Sequence, residues 1–300
     1  MTSVVERRSQ DLDSILFACD FSPPRGSDPK LLSNALSLTA DFVSVAYNPG
    51  RSVRVNSVLA AHWIQQKTCR DVIFSLSTRD INKIGLQSLL LGAELAGLKN
   101  VVVVKGDKFS SLELAMTKTV QDFKPTEMLS SISAMNEGLD YKGQKLQTST
   151  DFCIGATIDL NNCMEREINL THRKVESGAQ FFLMQPVPNS TLIHSFIDRY
   201  INQYSEQLSS VLFVGVQMVA PDGLSFGKLP EWVMQDLDAG RPGHDIAIQA
   251  IYELIDAGFR SIYLIPPVFK GGRRGYGDAQ KVLNEFRNPA EGKKGRLVDI

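Results

Sequence analysis

The residues of this chain that could do chemistry stand at the ends of apolar runs. In "FACDFSPPRGSDP", 17–29, such a run stops on the carboxyl of Asp20, and Pro23 and Pro24 then turn the chain. A carboxyl there can serve as a general acid or merely cap a turn, and position alone leaves both open. Comparable groups end other runs: Tyr47-Asn48 after "DFVSVA", Ser75 and Ser77 in "DVIFSLS", and Lys105-Gly106-Asp107 after "NVVVV". Asp159 follows "FCIGATI", Gln185 follows "FFLM" and Gln217 closes "VLFVGVQ". Asp107 could equally cap a short helix. Gln185, caught between an apolar run and Pro186, carries an amide that is costly to bury without a partner. Acids, amides and a lysine, with no nucleophile and no metal cage, suit a site where a bound organic cofactor carries the hard chemistry.

Other chemistries find little support. No Ser-His-Asp spacing, G-x-S-x-G or P-loop occurs, and "GGRRGYG" at 271–277 has no acid placed for a ribose, so it is discounted as a dinucleotide fingerprint. His62, His172, His194 and His244 fall on helical segments or their starts, where surface or capping roles are expected. Cys19, Cys69, Cys153 and Cys163 lie far apart with no ligand spacing, so no metal site is expected. "KGGRR" at 270–274 is the one basic knot; it reads as a solvated loop, with a phosphate contact as the alternative.

The elements that must position these groups alternate. Short β-branched or aromatic runs are expected as strands at Ser14–Asp20, Asp41–Tyr47, Asp71–Ser77, Asn100–Val104, Phe152–Ile158, Ala179–Gln185, Val211–Gln217 and Ser261–Pro266. Helical periods follow each: Lys30–Thr39, Arg54–Thr68, Arg79–Ala96, Pro125–Glu137, Met164–Ser177, Ser190–Gln207, Leu229–Leu237 with Asp245–Ala257, and Ala279–Phe286. Eight such repeats in 300 residues predict an α/β fold, a (β/α)8 TIM barrel in one domain spanning 1–300. The polar stretch at about 106–150 reads as an excursion before the fifth strand. In a barrel of this kind, residues just past the strands line one mouth, which would gather the groups above.

Composition agrees with an ordinary globular protein: 43 % apolar residues and a net charge of −1 with mixed signs. That gives no electrostatic case for nucleic acid or an anionic membrane. The opening "MTSVVERRSQDLD" is polar, and no apolar run reaches the ~20 residues of a spanning helix. A cytoplasmic location with free thiols is expected.

"CDFSPPRGSDP", "SVAYNPG", "LSTRDINKIGLQSLLLGAELAGLKNVVVVKGD", "FCIGATIDLN", "RKVESGAQFFLMQPV" and "IYLIPPV" occur in this order. Together they resemble the methylenetetrahydrofolate reductases, most of all a bacterial branch with an extra insertion before strand five, here "YKGQKL". The resemblance runs over roughly 17–269. It implies a flavin-containing barrel that reduces 5,10-methylenetetrahydrofolate to 5-methyltetrahydrofolate by ping-pong hydride transfer. The flavin would be FAD, with FMN as the alternative; NAD(P)H or a protein electron donor would reload it, and a partner electron-transfer subunit and a homo-oligomer would fit the family. Asp20 matches the proposed general acid, usually a glutamate. Gly106 and Asp107 match a Gly-Asp pair whose aspartate lies by flavin and pterin. Lys174 matches a lysine near the flavin's phosphate and ribose, Gln185 a glutamine that binds the pterin, and Tyr47 a residue beside the flavin. Ser75, Lys105 and Asp159 fall on the same flavin-side rim, with Ser75 where the family usually has histidine. Two other readings remain: a pterin-binding barrel without independent turnover that serves methyl-group transfer, and the same enzyme run in the methyl-oxidising direction.

Overall fold

The computed structural model describes residues 1–225 and 228–287. Its strands are β1 (Leu16–Phe21), β2 (Phe42–Val45), β3 (Asp71–Ser77), β4 (Asn100–Val104), β5 (Cys153–Ile158), β6 (Phe181–Met184), β7 (Val211–Gln217), β8 (Gly223–Leu224), β9 (Ser261–Ile265) and β10 (Val268–Phe269). Eight of them close into a barrel in the order β1-β2-β3-β4-β5-β6-β7-β9, all pairs parallel. β8 and β10 form a small antiparallel ladder beyond the strand ends. The expected (β/α)8 TIM barrel is thus the observed architecture.

Helices follow in turn: α1 (Val4–Gln10), α2 (Ser33–Ser37), α3 (Ser57–Thr68), α4 (Lys83–Leu95), α5 (Ser111–Leu114), α6 (Pro125–Asn136), α7 (Met164–Glu176), α8 (Ser190–Tyr204), α9 (Glu231–Asp238), α10 (Gly243–Asp256) and α11 (Tyr276–Arg287). The helix expected from Arg79 starts later, because the Asn82 side chain accepts from Gly85 N and caps it there. That delay leaves Arg79 and Asp80 in the loop above β3. The helix expected over Lys30–Thr39 is a 3-10 turn, Pro29–Leu32, followed by the short α2; Asp28 and Pro29 initiate the turn, and the Ser-Asn content of α2 gives it little propensity.

Alternation along each strand builds two apolar layers. Leu16, Ala18, Phe42, Ile73, Phe181, Phe213 and Tyr263 face inward and fill the barrel. Phe17, Cys19, Val43, Phe74 and Val101 face outward beneath the helices. Helix α1 was not anticipated from its polar sequence. A Ser3–Glu6 capping box forms it, and the fully buried Val4 joins the inner cluster. Val4 N donates to Asn100 Oδ1 at 2.8 Å and Arg7 pairs with Asp71 at 2.7 Å, which closes the barrel opposite the candidate mouth.

Packing inside the barrel is tight at Gly155. A Cβ there would meet the Phe181 ring at 2.3 Å. Gly155→Ala is therefore expected to cost about 1–3 kcal/mol by overpacking. Urea unfolding should show that loss, and adding Phe181→Leu should return part of it.

Candidate active site

Asp20 lies on the inner face of β1 near its carboxyl end and is 5 % exposed. A charge buried this deeply costs several kcal/mol unless it is paired. Two groups face it. Tyr263, on the inner face of β9, donates its hydroxyl to Oδ1 at 2.8 Å. Arg274, from the loop after β10, places Nη2 3.2 Å from Oδ2. The last contact is an ion pair without hydrogen-bond alignment: Oδ2, and Nη1 of the same guanidinium, are buried with no hydrogen-bond partner among the described residues. Arg274 is itself held by Nε donating to Ser22 Oγ at 3.0 Å, while Ser22 N donates to the Tyr276 hydroxyl at 2.9 Å. Burial, reinforced by Asp20, pushes the Tyr263 phenol well above its ordinary value.

Arg274 was missed in the sequence. "KGGRR" read as solvated loop, and Arg273 fits that reading: it covers the Phe269 ring from 4.2 Å. Arg274 instead turns inward. The signal was the pair of glycines before it, Gly271 and Gly272, both at positive φ, which let the chain double back.

The same barrel end carries the other predicted groups at different depths. Ser75 is buried on the inner face of β3. Gln185 follows β6, held by its N donating to Ile158 O at 2.8 Å, and its side-chain amide has no hydrogen bond among the described residues. Gln217 is buried and donates to Leu224 O at 2.6 Å, which pins β8. Above β3, Arg79 makes a two-point contact with Asp80 at 2.5 and 2.7 Å, donates to Asp107 O at 3.0 Å and stacks on Phe109. Tyr47 contacts Asp80, and burial together with that carboxylate raises its phenol to about 12. Gly106 needs its hydrogen: φ is +80°, and a Cβ would meet Ser77 Oγ at 2.4 Å. Lys105 and Asp107 are exposed on this rim.

Two predicted residues are committed elsewhere. Asp159 accepts from Asn161 N at 3.1 Å and from Asn162 Nδ2 at 2.7 Å, which closes its own turn. Lys174 is buried on α7 behind β5, where Nζ donates to Thr157 O at 2.5 Å and pairs with Glu167 at 3.2 Å. Burial pushes this lysine down and the glutamate up, and each charge partly restores the other.

A cavity of about 850 Å³ lies against β7, between the segment after β6 and helices α9 and α10. Pro186, Gln217, Leu229, Trp232 and Glu253 are among the residues that line it.

A family model for methylenetetrahydrofolate reductase matches residues 6–251. The chain belongs to that family. Among solved structures, an uncharacterized protein from Clostridium thermocellum, one that binds two copies of 5-methyl-5,6,7,8-tetrahydrofolic acid, superimposes with a TM-score of 0.62 at 12 % identity, over 87 % of this chain and 92 % of that one. A 2,3-dimethylmalate lyase of the PEP mutase/isocitrate lyase superfamily gives a TM-score of 0.50 at 14 % identity, over 99 % and 88 %. These likenesses show the fold. No curated protein matches.

The family is one of flavin enzymes, and the lysine that the resemblance places by the flavin's phosphate is engaged elsewhere in this chain. Ser44, a small buried residue, is Asp20's inward neighbour on β2, and Ser75 is buried on β3. Lys174 is turned away behind the wall, which leaves the exposed Lys105 and Lys108 as the cations on the β4 side.

Lys174→Met should destabilise the fold by about 3–5 kcal/mol, because Glu167 is left as a buried unpaired charge. The double variant with Glu167→Gln should recover most of that in urea unfolding. The Tyr263 phenol has its folded pKa above its unfolded value of 10.0, so its contribution to stability is present below pH 10.0 and lost as pH rises. In an alkaline titration of phenolate absorbance, Tyr263→Phe should shrink only the phase that accompanies unfolding.

Proposed function

We propose that the protein reduces 5,10-methylenetetrahydrofolate to 5-methyltetrahydrofolate, with Asp20 as general acid. The observation that carries this reading is Asp20 Oδ2: a buried carboxyl oxygen, at the mouth of a barrel of this family, with no hydrogen-bond partner among the described residues. A folate ligand is also supported by the Clostridium thermocellum protein, which binds 5-methyltetrahydrofolic acid.

A bound flavin, FAD or FMN, would supply the hydride. Asp20 would give its proton from Oδ2 to a ring nitrogen of the substrate, the bond from that nitrogen to the bridging carbon would break, and that carbon would become the electrophile of an iminium. Tyr263 and Arg274 would then hold the carboxylate left behind, through bonds already in place. The free amide of Gln185 would orient the pterin, and the Asp107 carboxylate on the rim would offset the cation. Tyr47, Ser75, Lys105 and Gly106 are the proposed cofactor contacts, and Asp159 would act only through the turn after β5 that its carboxylate holds. Lys174 would act on the flavin only through the end of β5 that it fixes. The cavity lined by Gln217 and Trp232 would take the aminobenzoyl-glutamate tail. NAD(P)H or a protein donor, in a partner subunit or free, would reload the flavin, and the setting would be the cytoplasm. No helix of the described residues is long and apolar enough to cross a membrane.

One observation favours a second reading, a pterin-binding barrel that serves methyl transfer without turnover of its own: the lysine expected at the flavin phosphate is engaged with Glu167. The two separate in one experiment. The purified full chain should carry flavin absorbance, and its reduced flavin should be reoxidised by 5,10-methylenetetrahydrofolate under anaerobic conditions. Asp20→Asn should slow that reoxidation by about 100-fold or more. A colourless protein that binds 5-methyltetrahydrofolate would support the second reading and defeat the first.

A further inference from the structure

Arg25 after β1, Arg54 after β2 and Arg274 after β10 converge beside the mouth. Two of them are tethered to consecutive residues. Arg274 Nε donates to Ser22 Oγ at 3.0 Å, and Arg54 Nη1 donates to the carbonyl of Pro23 at 2.8 Å. The loop after β10 closes the approach: a Cβ at Gly272 would stand 2.7 Å from Arg54 Nη2, so the backbone of that loop lies on the Arg54 head group. Burial pushes the Arg54 guanidinium below its ordinary value, and the charges of Arg274 and Arg25 add to it.

Like charges gathered in this way are unfavourable without an anion among them. Asp20 answers Arg274 alone. Arg25 and Arg54 have no carboxylate partner among the described residues, and Arg54 Nε and Arg274 Nη1 are buried there without a hydrogen-bond acceptor. The surrounding loops supply none. Segments 22–28, 48–56 and 266–275 add the cations Arg51, Lys270 and Arg273, and their one acid, Asp28, accepts from Lys30 N at 2.9 Å in its own turn. Glu113 is engaged with Arg51 at 2.9 Å. In a chain of net charge −1, this is a local excess of positive charge.

The acceptor that fits is a phosphate. A phosphate group carries about −1.5 to −2 charge at pH 7 and offers several oxygens to guanidinium forks arriving from different loops, where a carboxylate carries one charge on two oxygens. Lys174 points the same way. The lysine that the resemblance places by a flavin phosphate is engaged with Glu167, so a phosphate at this mouth has to be met by other cations. Lys105 and Lys108 stand exposed on the β4 side, whereas Arg54 and Arg274 are partly buried and already oriented.

We propose that Arg25, Arg54 and Arg274 form a phosphate-binding site at the β1–β2 side of the mouth, contiguous with Asp20. The phosphate belongs to a nucleotide ligand, either a flavin nucleotide or a nicotinamide dinucleotide. That pair of sources rests on the reductase reading; the site itself does not.

Inorganic pyrophosphate tests the site on the full chain. Isothermal titration should show binding that added sodium chloride weakens. Arg25→Gln, at an exposed position, should weaken it by about three-fold or more, and Arg54→Gln by about ten-fold or more. Glutarate, a dicarboxylate, should bind about ten-fold less tightly than pyrophosphate. The source is read from two comparisons, FMN against riboflavin and NADH against reduced nicotinamide riboside. The phosphate-bearing member of the correct pair should bind more tightly to the wild type and lose that advantage in Arg25→Gln. If neither pair behaves so, the nucleotide assignment is overturned. No pyrophosphate binding at millimolar concentration, binding that neither substitution weakens, or glutarate binding as tightly as pyrophosphate would overturn the site. A chain that binds pyrophosphate through these arginines but shows no reductase turnover would uphold the site and defeat only the reductase reading.

Discussion

A carboxyl group on the inner face of a closed barrel is the constraint around which this mouth is arranged. Asp20 cannot reach water at 5 % exposure, so the fold must supply its partners. It does so from the last strand and the loop beyond it, residues more than 240 positions away in sequence. Parallel closure of β1 against β9 brings Tyr263 inward in register with Ala18, one inward position below Asp20. The β8–β10 ladder then folds the following loop back, so that Arg274 reaches Oδ2. Oδ1 accepts a hydrogen bond from Tyr263, whereas Oδ2 has the Arg274 ion pair but no hydrogen bond among the described residues. Buried carboxylates normally have both oxygens hydrogen-bonded, so the Oδ2 that has only the Arg274 ion pair is the atom on which the proposed role of Asp20 rests.

Most of the barrel was legible in the sequence because its two signals agree locally. The runs at Asp71–Ser77, Asn100–Val104 and Val211–Gln217 have the expected bounds, since β-branched and aromatic residues buried on both faces leave no other reading. Helix α1 was hidden because its burial rests on a single valine that plugs the barrel floor, a contact no local period reveals. α4 shows the opposite case. Its periodicity was easy to see, but a helix apolar on both faces gives no hint which face meets the barrel until the strands are in place.

The candidate site was legible by position and less so by chemistry. Asp20, Ser75 and Gln185 could be placed at one mouth because strand ends in a barrel converge. Their partners could not, because the Tyr263 hydrogen bond and the Arg274 ion pair to Asp20 depend on closure of the ring. Lys174 shows the limit of reasoning by motif alone. Its place in "RKVESGA" fixes the helix, whereas its direction is set by Glu167, seven residues earlier on the same face, and by the carbonyl of Thr157. Asp159 is likewise absorbed by two asparagines that follow it. Asp20 Oδ2 and the Gln185 amide therefore lack hydrogen-bond partners among the described residues, whereas Lys174 and Asp159 are held by local contacts.

The central claim is that Asp20 and Gln185 receive a folate pterin at the carboxyl end of the barrel. A crystal structure of the full chain with 5-methyltetrahydrofolate tests it most directly. The pterin ring should lie within hydrogen-bond distance of Asp20 Oδ2 and of the Gln185 amide, with the tail leading toward Trp232. A pterin bound at the α1 end, or on the outer surface of the helices with Oδ2 untouched, would contradict it.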